Sequence, residues 1–190
     1  MENIIKSVLS EFYDVSACVI ARGEEILSVA LGQNSHDAYI KALDKNPAEM
    51  FGATVGFSKE IDAKSKKHIL ACKQNIIEIN DNLKDHKKKV INEALSSDSD
   101  AENARLLTLS LDKDKFKVVT KIVPTAEQIE DAIFAWKVSK YLSGENIMIA
   151  KDFKTLALSQ NIEDIETEIE KAVDFACADS KNAILHPCPR

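Results

Sequence analysis

One pattern occurs twice in this chain and sharply narrows its folds. Ile20-Ala21-Arg22, a polar turn and Ala30-Leu31-Gly32-Gln33-Asn34 are echoed by Ile149-Ala150-Lys151, a polar turn and Ala157-Leu158-Ser159-Gln160-Asn161. Each copy follows one amphipathic helix and precedes another, so the echo implies two related α/β units packed together. The alternative is two unrelated amphipathic hairpins that match by chance, and it leaves the α/β class unchanged.

Around the first copy, Ile4, Ile5, Val8, Leu9 and Phe12 share one helical face over residues 2–13. An apolar run Ala17 to Ala21, the turn Arg22-Gly23-Glu24-Glu25 and a second run Ile26 to Leu31 then read as paired strands. A helix is expected from Ser35 to about Leu43, a strand over Gly52–Phe57, a helix over Asp62–Lys73 and a strand over Ile76–Ile79. The apolar-poor stretch Ser96 to Asn103 reads as an exposed connection, before strands near Arg105–Ser110 and Lys117–Val123. Thr125, with Gln128 three residues on, is a capping box that opens a helix with Ile129, Ala132, Ile133, Trp136 and Lys140 on one side, before Gly144 stops it. Trp136 shares that face and so reads as core packing before ring stacking. Ile162, Ile165, Ile169, Ala172, Val173 and Ala176 make the stripe of a last helix, and Asn182–Leu185 a final strand.

Charge and composition exclude several functions. Thirty-one acidic against 25 basic side chains give a net charge of -6, which repels phosphate backbones, so no nucleic-acid partner is expected. The basic stretch Lys84 to Lys89 has Val90, Ile91, Ala94 and Leu95 behind it at helical spacing and reads as a solvated helix face. With only 5 glycines and 4 prolines in 190 residues, phosphate-cradling loops have little material. No GxGxxG, GxxxxGK or GxSxG is present. Cys18, Cys72, Cys177 and Cys188 are widely separated and contain no CxxC, so no metal site is expected. Without a signal peptide or a long apolar run, the sequence reads as cytoplasmic, with reduced thiols and no membrane partner.

Phe134-Ala135-Trp136-Lys137-Val138-Ser139-Lys140, followed by Ile149-Ala150-Lys151-Asp152, resembles the AICAR formyltransferase part of the bifunctional purine-biosynthesis family that also carries IMP cyclohydrolase. That family reads FAWKVVKHVKSNAIVxAKD there. The resemblance extends to Val118-Val119-Thr120-Lys121 with Pro124-Thr125, and to Asn46-Pro47, Phe51-Gly52 and Phe57, where the family shows DPTSAFGGIIAFN. It implies tandem cytidine-deaminase-like units without zinc, each a three-layer α/β/α sandwich. Residues 1–110 would be the first unit, and 111–190 a linking strand and helix with a shortened second unit. It further implies a homodimer, a purine nucleotide or folate ligand, and 10-formyltetrahydrofolate as cosubstrate, with no covalently bound cofactor. Phe51, Gly52, Asn146 and Gln160 fall at the family's binding positions, Asn146 only if the alignment slips by one residue.

The family's catalytic stretch is not matched. Its Lys-His-Ala-Asn-Pro-Cys-Gly-Val-Ala is here Arg22-Gly23-Glu24-Glu25-Ile26-Leu27-Ser28-Val29-Ala30. Arg22 keeps the charge of the family lysine, but guanidinium stays protonated and cannot shuttle a proton. Gly23 replaces the histidine outright. The GIGAGQMSR loop is reduced to Ala157–Asn161, with Gln160 as its remnant, and the segments corresponding to SDAFFPF and to the cyclohydrolase domain have no counterpart. The expectation is therefore a diverged, non-catalytic relative that binds a ligand or another protein. One alternative is an active formyltransferase of minimal form, in which Arg22 stabilises the oxyanion and another group moves the proton; His36, just beyond the second strand, is within reach of that turn in principle but reads more simply as an exposed neighbour of a helix cap. Another is different chemistry using Glu24, Glu25, Glu145 and Asp152 near the two turns.

Overall fold

A computed structural model describes residues 2–44, 46–77, 79, 82–96, 107, 118–119 and 121–188. Among them the chain runs α1 (Glu2–Ser10), β1 (Ser16–Arg22), β2 (Glu25–Gly32), α2 (Ser35–Leu43), β3 (Thr54–Phe57), α3 (Ala63–Ala71), β4 (Asn75–Ile77) and α4 (Leu83–Ser96). It continues with α5 (Ala126–Ser139), β5 (Asn146–Lys151), β6 (Lys154–Gln160), α6 (Ile165–Ala176), a short 3-10 turn (Cys177–Ser180) and β7 (Ile184–Cys188).

The seven strands form one mixed sheet in the order β4-β3-β1-β2-β6-β5-β7. Of these neighbours, β3 and β4 run parallel and the rest antiparallel. Period-2 alternation divides the core. Ala17, Val19 and Ala21 of β1 and Met148 and Ala150 of β5 face α1, α5 and Leu83 of α4. Cys18 and Ile20 face α2 and Ile69 of α3, while Ile147 and Ile149 face Ala172 and Ala176 of α6. The result is helices on both faces of a sheet, an α/β fold.

The echoed sequences are antiparallel hairpins, each between two helices. In β1–β2 the register shifts between Ile20 and Ala21, and in β5–β6 between Ile149 and Ala150, so the irregularity falls on the repeated residues. Ile20 pairs with Ser28 and Ala21 with Ile26, leaving Leu27 as the extra residue; Ile149 pairs with Ala157 and Ala150 with Thr155, leaving Leu156. Paired this way, Ser28 corresponds to Ala157, and the second half of the sequence echo, which set Ala30 against Ala157, is two residues out. Strand β3 flanks β1 and β7 flanks β5, both antiparallel. The halves meet where β2 runs antiparallel to β6, so the two hairpin tips point in opposite directions.

Helix starts follow local chemistry. The Thr125–Gln128 capping box forms with bonds of 2.9 and 3.3 Å, and Asn34, Asp62 and Asp164 cap α2, α3 and α6. Several expectations shift. α1 ends at Ser10 although Phe12 remains buried. β3 starts at Thr54, and β7 runs to Cys188 with Pro187 inside it, which an edge strand tolerates. The buried face of α5 is Asp131, Phe134, Ala135, Val138 and Ser139, rotated from the expected stripe because a polar residue, Asp131, lies in its middle. Trp136 is half-buried against the His186 ring instead of deep in the core. Val118, Val119 and Lys121–Val123 are not in a strand, and Ile122 and Val123 are largely exposed. Leu107, in helical conformation, is the one described residue of the strand expected near Arg105–Ser110, and the connection after Ser96 lies outside the described residues. Among the described residues, no helix is long and apolar enough to cross a membrane.

Candidate functional site

The sequence-derived site residues fall into two groups along one end of the sheet. The first surrounds the tip of β1–β2. Arg22 ends β1, and its guanidinium donates to the backbone carbonyls of Glu49 and Phe51. The segment before β3 is folded for this. Asn46 accepts from the Glu49 N–H at 3.3 Å and donates to its carboxylate at 2.6 Å, while Gln74 donates to the Met50 carbonyl at 2.8 Å. Gly52 has a φ of +72°, and a side chain there would meet open space, so its backbone conformation, not crowding, calls for glycine. Phe51 beside it is 51% exposed, with the Lys73 ammonium 5.8 Å from its ring centre.

The second group is two strands away. Asn146 of β5 and Gln160 of β6 are direct cross-strand partners. Gln160 donates to the Ile26 carbonyl at 3.0 Å, on β2 next to Glu25, the partner of Arg22 in the hairpin. Asn146 is fully buried and donates to the Gly144 carbonyl at 3.2 Å, while the side-chain oxygens of both residues are buried and unpartnered. Arg22, Phe51 and Gly52 thus form one contact group, Asn146 and Gln160 another, and the start of β2 lies between them.

Where β2 meets β6, backbone pairing is thin. One ladder pair, Ala30 with Lys154, is supplemented by the Leu31 N–H to the Phe153 carbonyl at 2.8 Å. The Thr155 hydroxyl stands in for further ladder bonds, accepting from the Val29 N–H at 3.1 Å, donating to the Val29 carbonyl at 3.3 Å and lying 3.1 Å from the Ser28 hydroxyl. A cleft of about 260 Å³ opens on this seam. The two extra hairpin residues, Leu27 and Leu156, line it, together with Glu49 and Met50 and with Ala172 and Phe175 of α6.

Other residues depart from expectation. His36 hydrogen-bonds Ser65 at 3.0 Å, which in turn donates to Asp62, so it braces α2 against α3 and not the Arg22 turn. Glu24 and Glu25 sit at one hairpin tip and Asp152 at the other, facing the opposite way, so Asp152 cannot pair with either as acid and base; Glu145, just before β5, lies at the sheet end of Glu24 and Glu25. Among the described residues, no group of three or more His, Cys, Asp or Glu could hold a metal ion.

Sequence reading missed two buried charged centres. The Asp131 carboxylate of α5 accepts from the backbone N–H groups of Asp152 at 3.1 Å and Phe153 at 2.9 Å, both at positive φ in the β5–β6 turn. Glu11, after α1, is bound by Lys140 at 2.6 Å, Lys87 of α4 at 2.7 Å and the Tyr141 hydroxyl at 2.9 Å. Burial pushes the Glu11 carboxyl up, but the charges and hydrogen bonds of the two lysines outweigh it and leave it below its ordinary value. Burial raises the Tyr141 hydroxyl, and the adjacent Glu11 charge raises it further. Burial also lowers His186, whose ring hydrogen-bonds Ser139 at 3.0 Å. The only sequence signal for the Glu11 centre was Lys140 on an otherwise apolar stripe.

Fold and site define an α/β protein of two hairpin-centred halves on one sheet, with its candidate ligand residues along one sheet end and the seam. Residues 65–161, just over half of the chain, match the family described as the AICARFT/IMPCHase bienzyme. The chain belongs to that family. It is similar to the bifunctional purine biosynthesis protein PurH of Aquifex aeolicus, 28% identical over 94% of this chain and 38% of the relative. The PurH proteins of Persephonella marina and of a Thermoanaerobacter species are 29% and 27% identical, over 91% and 96% of this chain and 38% and 39% of the relatives. The chain therefore spans under two fifths of the length of the curated relatives it matches.

Proposed function

We propose that this chain is a ligand-binding or protein-association member of its family and does not itself transfer formyl groups. One observation carries the reading. Arg22, at the position of the family lysine, has its guanidinium committed to the carbonyls of Glu49 and Phe51, and beside it stands Gly23, which has no side chain to move a proton. A positioned acid or base contributes roughly 10² to 10⁴ in rate, and neither Arg22 nor Gly23 can be one. Arg22 acts as a latch that holds the Phe51–Gly52 bend against the hairpin.

In this reading the bend takes a purine nucleotide of the AICAR type, with 10-formyltetrahydrofolate as a second ligand. The two αββα halves are cytidine-deaminase-like units, supported by the matching bulges, and the chain forms a homodimer. The test measures formyl transfer from 10-formyltetrahydrofolate to AICAR, alongside thermal shifts with each ligand. The expected result is stabilisation by ligand that Arg22→Ala abolishes, with no turnover. Turnover that disappears in Arg22→Ala would overturn the reading, and a monomeric mass by light scattering would remove the dimer.

A further inference from the structure

The cleft on the β2–β6 seam is distinct from the Arg22–Phe51–Gly52 bend and from Asn146 and Gln160, none of which lines it. Its floor is apolar: Leu27, Met50, Leu156, Ala157 and Ala172. Within that floor lie two buried hydroxyls, Ser28 and Thr155, engaged with each other and, through Thr155, with the Val29 backbone. One wall is the ring of Phe175, 47% exposed and so available as a flat stacking surface. Asn46, Ser159, Glu25 and Glu49 stand round the rim.

Charge decides what this space accepts. Lys171, the one cation lining the cleft among the described residues, is paired with Glu168 at 2.6 Å. Arg22 reaches the Glu49 carbonyl from outside the lining. Among the described residues, with both cations counted against Glu25, Glu49 and Glu168, one negative charge remains uncompensated. A phosphate or carboxylate would meet that excess, whereas an exocyclic amine would find acceptors in it. About 260 Å³ is room for a fused two-ring system carrying a sugar.

We propose that the seam cleft binds a planar, amine-bearing heteroaromatic ring without an anionic group, stacked on Phe175 with its amine toward Glu25 and Glu49. The site depends on the pairing of the two halves and stands apart from the ligand reading of the Arg22 bend. The probes are adenosine and adenosine 5′-monophosphate, which share the ring and differ in the phosphate. Adenosine is expected to bind about tenfold more tightly than its monophosphate, the scale of one unfavourable charge contact near a surface. Phe175→Ala, at an exposed position, should weaken adenosine about fivefold or more, within the range of ring stacking. Glu49→Lys should reverse the preference. Equal or tighter binding of the monophosphate, or no binding of either probe, overturns the proposal. Binding of either probe that Arg22→Ala abolishes and Phe175→Ala leaves unchanged places the ligand at the bend, which keeps the reading of that site and ends this one.

Discussion

Asp131 lies in the buried face of α5, yet its carboxylate holds two backbone N–H groups of a turn in which Asp152 and Phe153 both have positive φ. A phenylalanine in that conformation is strained, and the pair of charge-assisted bonds offsets the strain. Asp131→Ala should therefore cost about 2–3 kcal/mol in urea denaturation, whereas Asp152→Asn, at an exposed side chain, should stay within about 0.5 kcal/mol. Glu11 supplies the pH dependence. Its carboxyl is held low, so its stabilisation is complete above the ordinary glutamate value of 4.5 and is lost as pH falls through the lower folded value. The urea midpoint should drop over that acid range in the native chain. In Glu11→Gln the drop should shrink, on top of a loss of about 3–5 kcal/mol at neutral pH from removing the charge that faces the buried Lys140 ammonium. Neither residue stood out in the sequence, because a carboxylate is read as solvent-facing unless its partners are known, and those partners lie 21 to 130 positions away.

At the scale of elements, the helices and hairpins were legible because their signals are local. The Thr125–Gln128 box, the Asn34 cap and the continuous apolar runs of β1 and β5 need only neighbours in sequence. The bulges were not legible. Leu27 and Leu156 look like ordinary strand residues, so the sequence echo ran straight through them and fell two positions out. Glycine marks a junction that is legible only in hindsight. A Cβ on Gly32 would collide with the Ala38 backbone nitrogen and lie 2.8 Å from its Cα, so β2 and α2 approach as closely as they do only without a side chain there. Gly32→Ala must push α2 off the sheet, and a loss of about 1–3 kcal/mol is expected in thermal or urea unfolding. Gly23→Ala, with open space around its Cβ, should cost about 1–2 kcal/mol through its φ of +62° alone.

Across the whole molecule, the family was legible from residues around Phe134–Lys140 and Phe51–Gly52, whereas the joining of the halves was not, since strand order between distant hairpins leaves no local mark. That joint carries an unusual share of its bonding on one side chain. With a single ladder pair between β2 and β6, the Thr155 hydroxyl provides both bonds to Val29 and the contact with Ser28. Thr155→Val keeps the shape but removes the hydroxyl, leaving a buried N–H and carbonyl of Val29 without that partner. A loss of about 1–3 kcal/mol is expected. Its location matters more than its size. If the seam couples the halves, hydrogen exchange should accelerate along β1–β2 and β5–β6 alike, beyond Val19, Ile20 and Ala150, which pair directly with Val29, Ser28 and Thr155. Ser28→Ala, which removes only the hydroxyl contact, should leave both hairpins protected. Faster exchange confined to Val29 and its immediate neighbours would mean that each half is stable alone and that the seam merely lays one against the other.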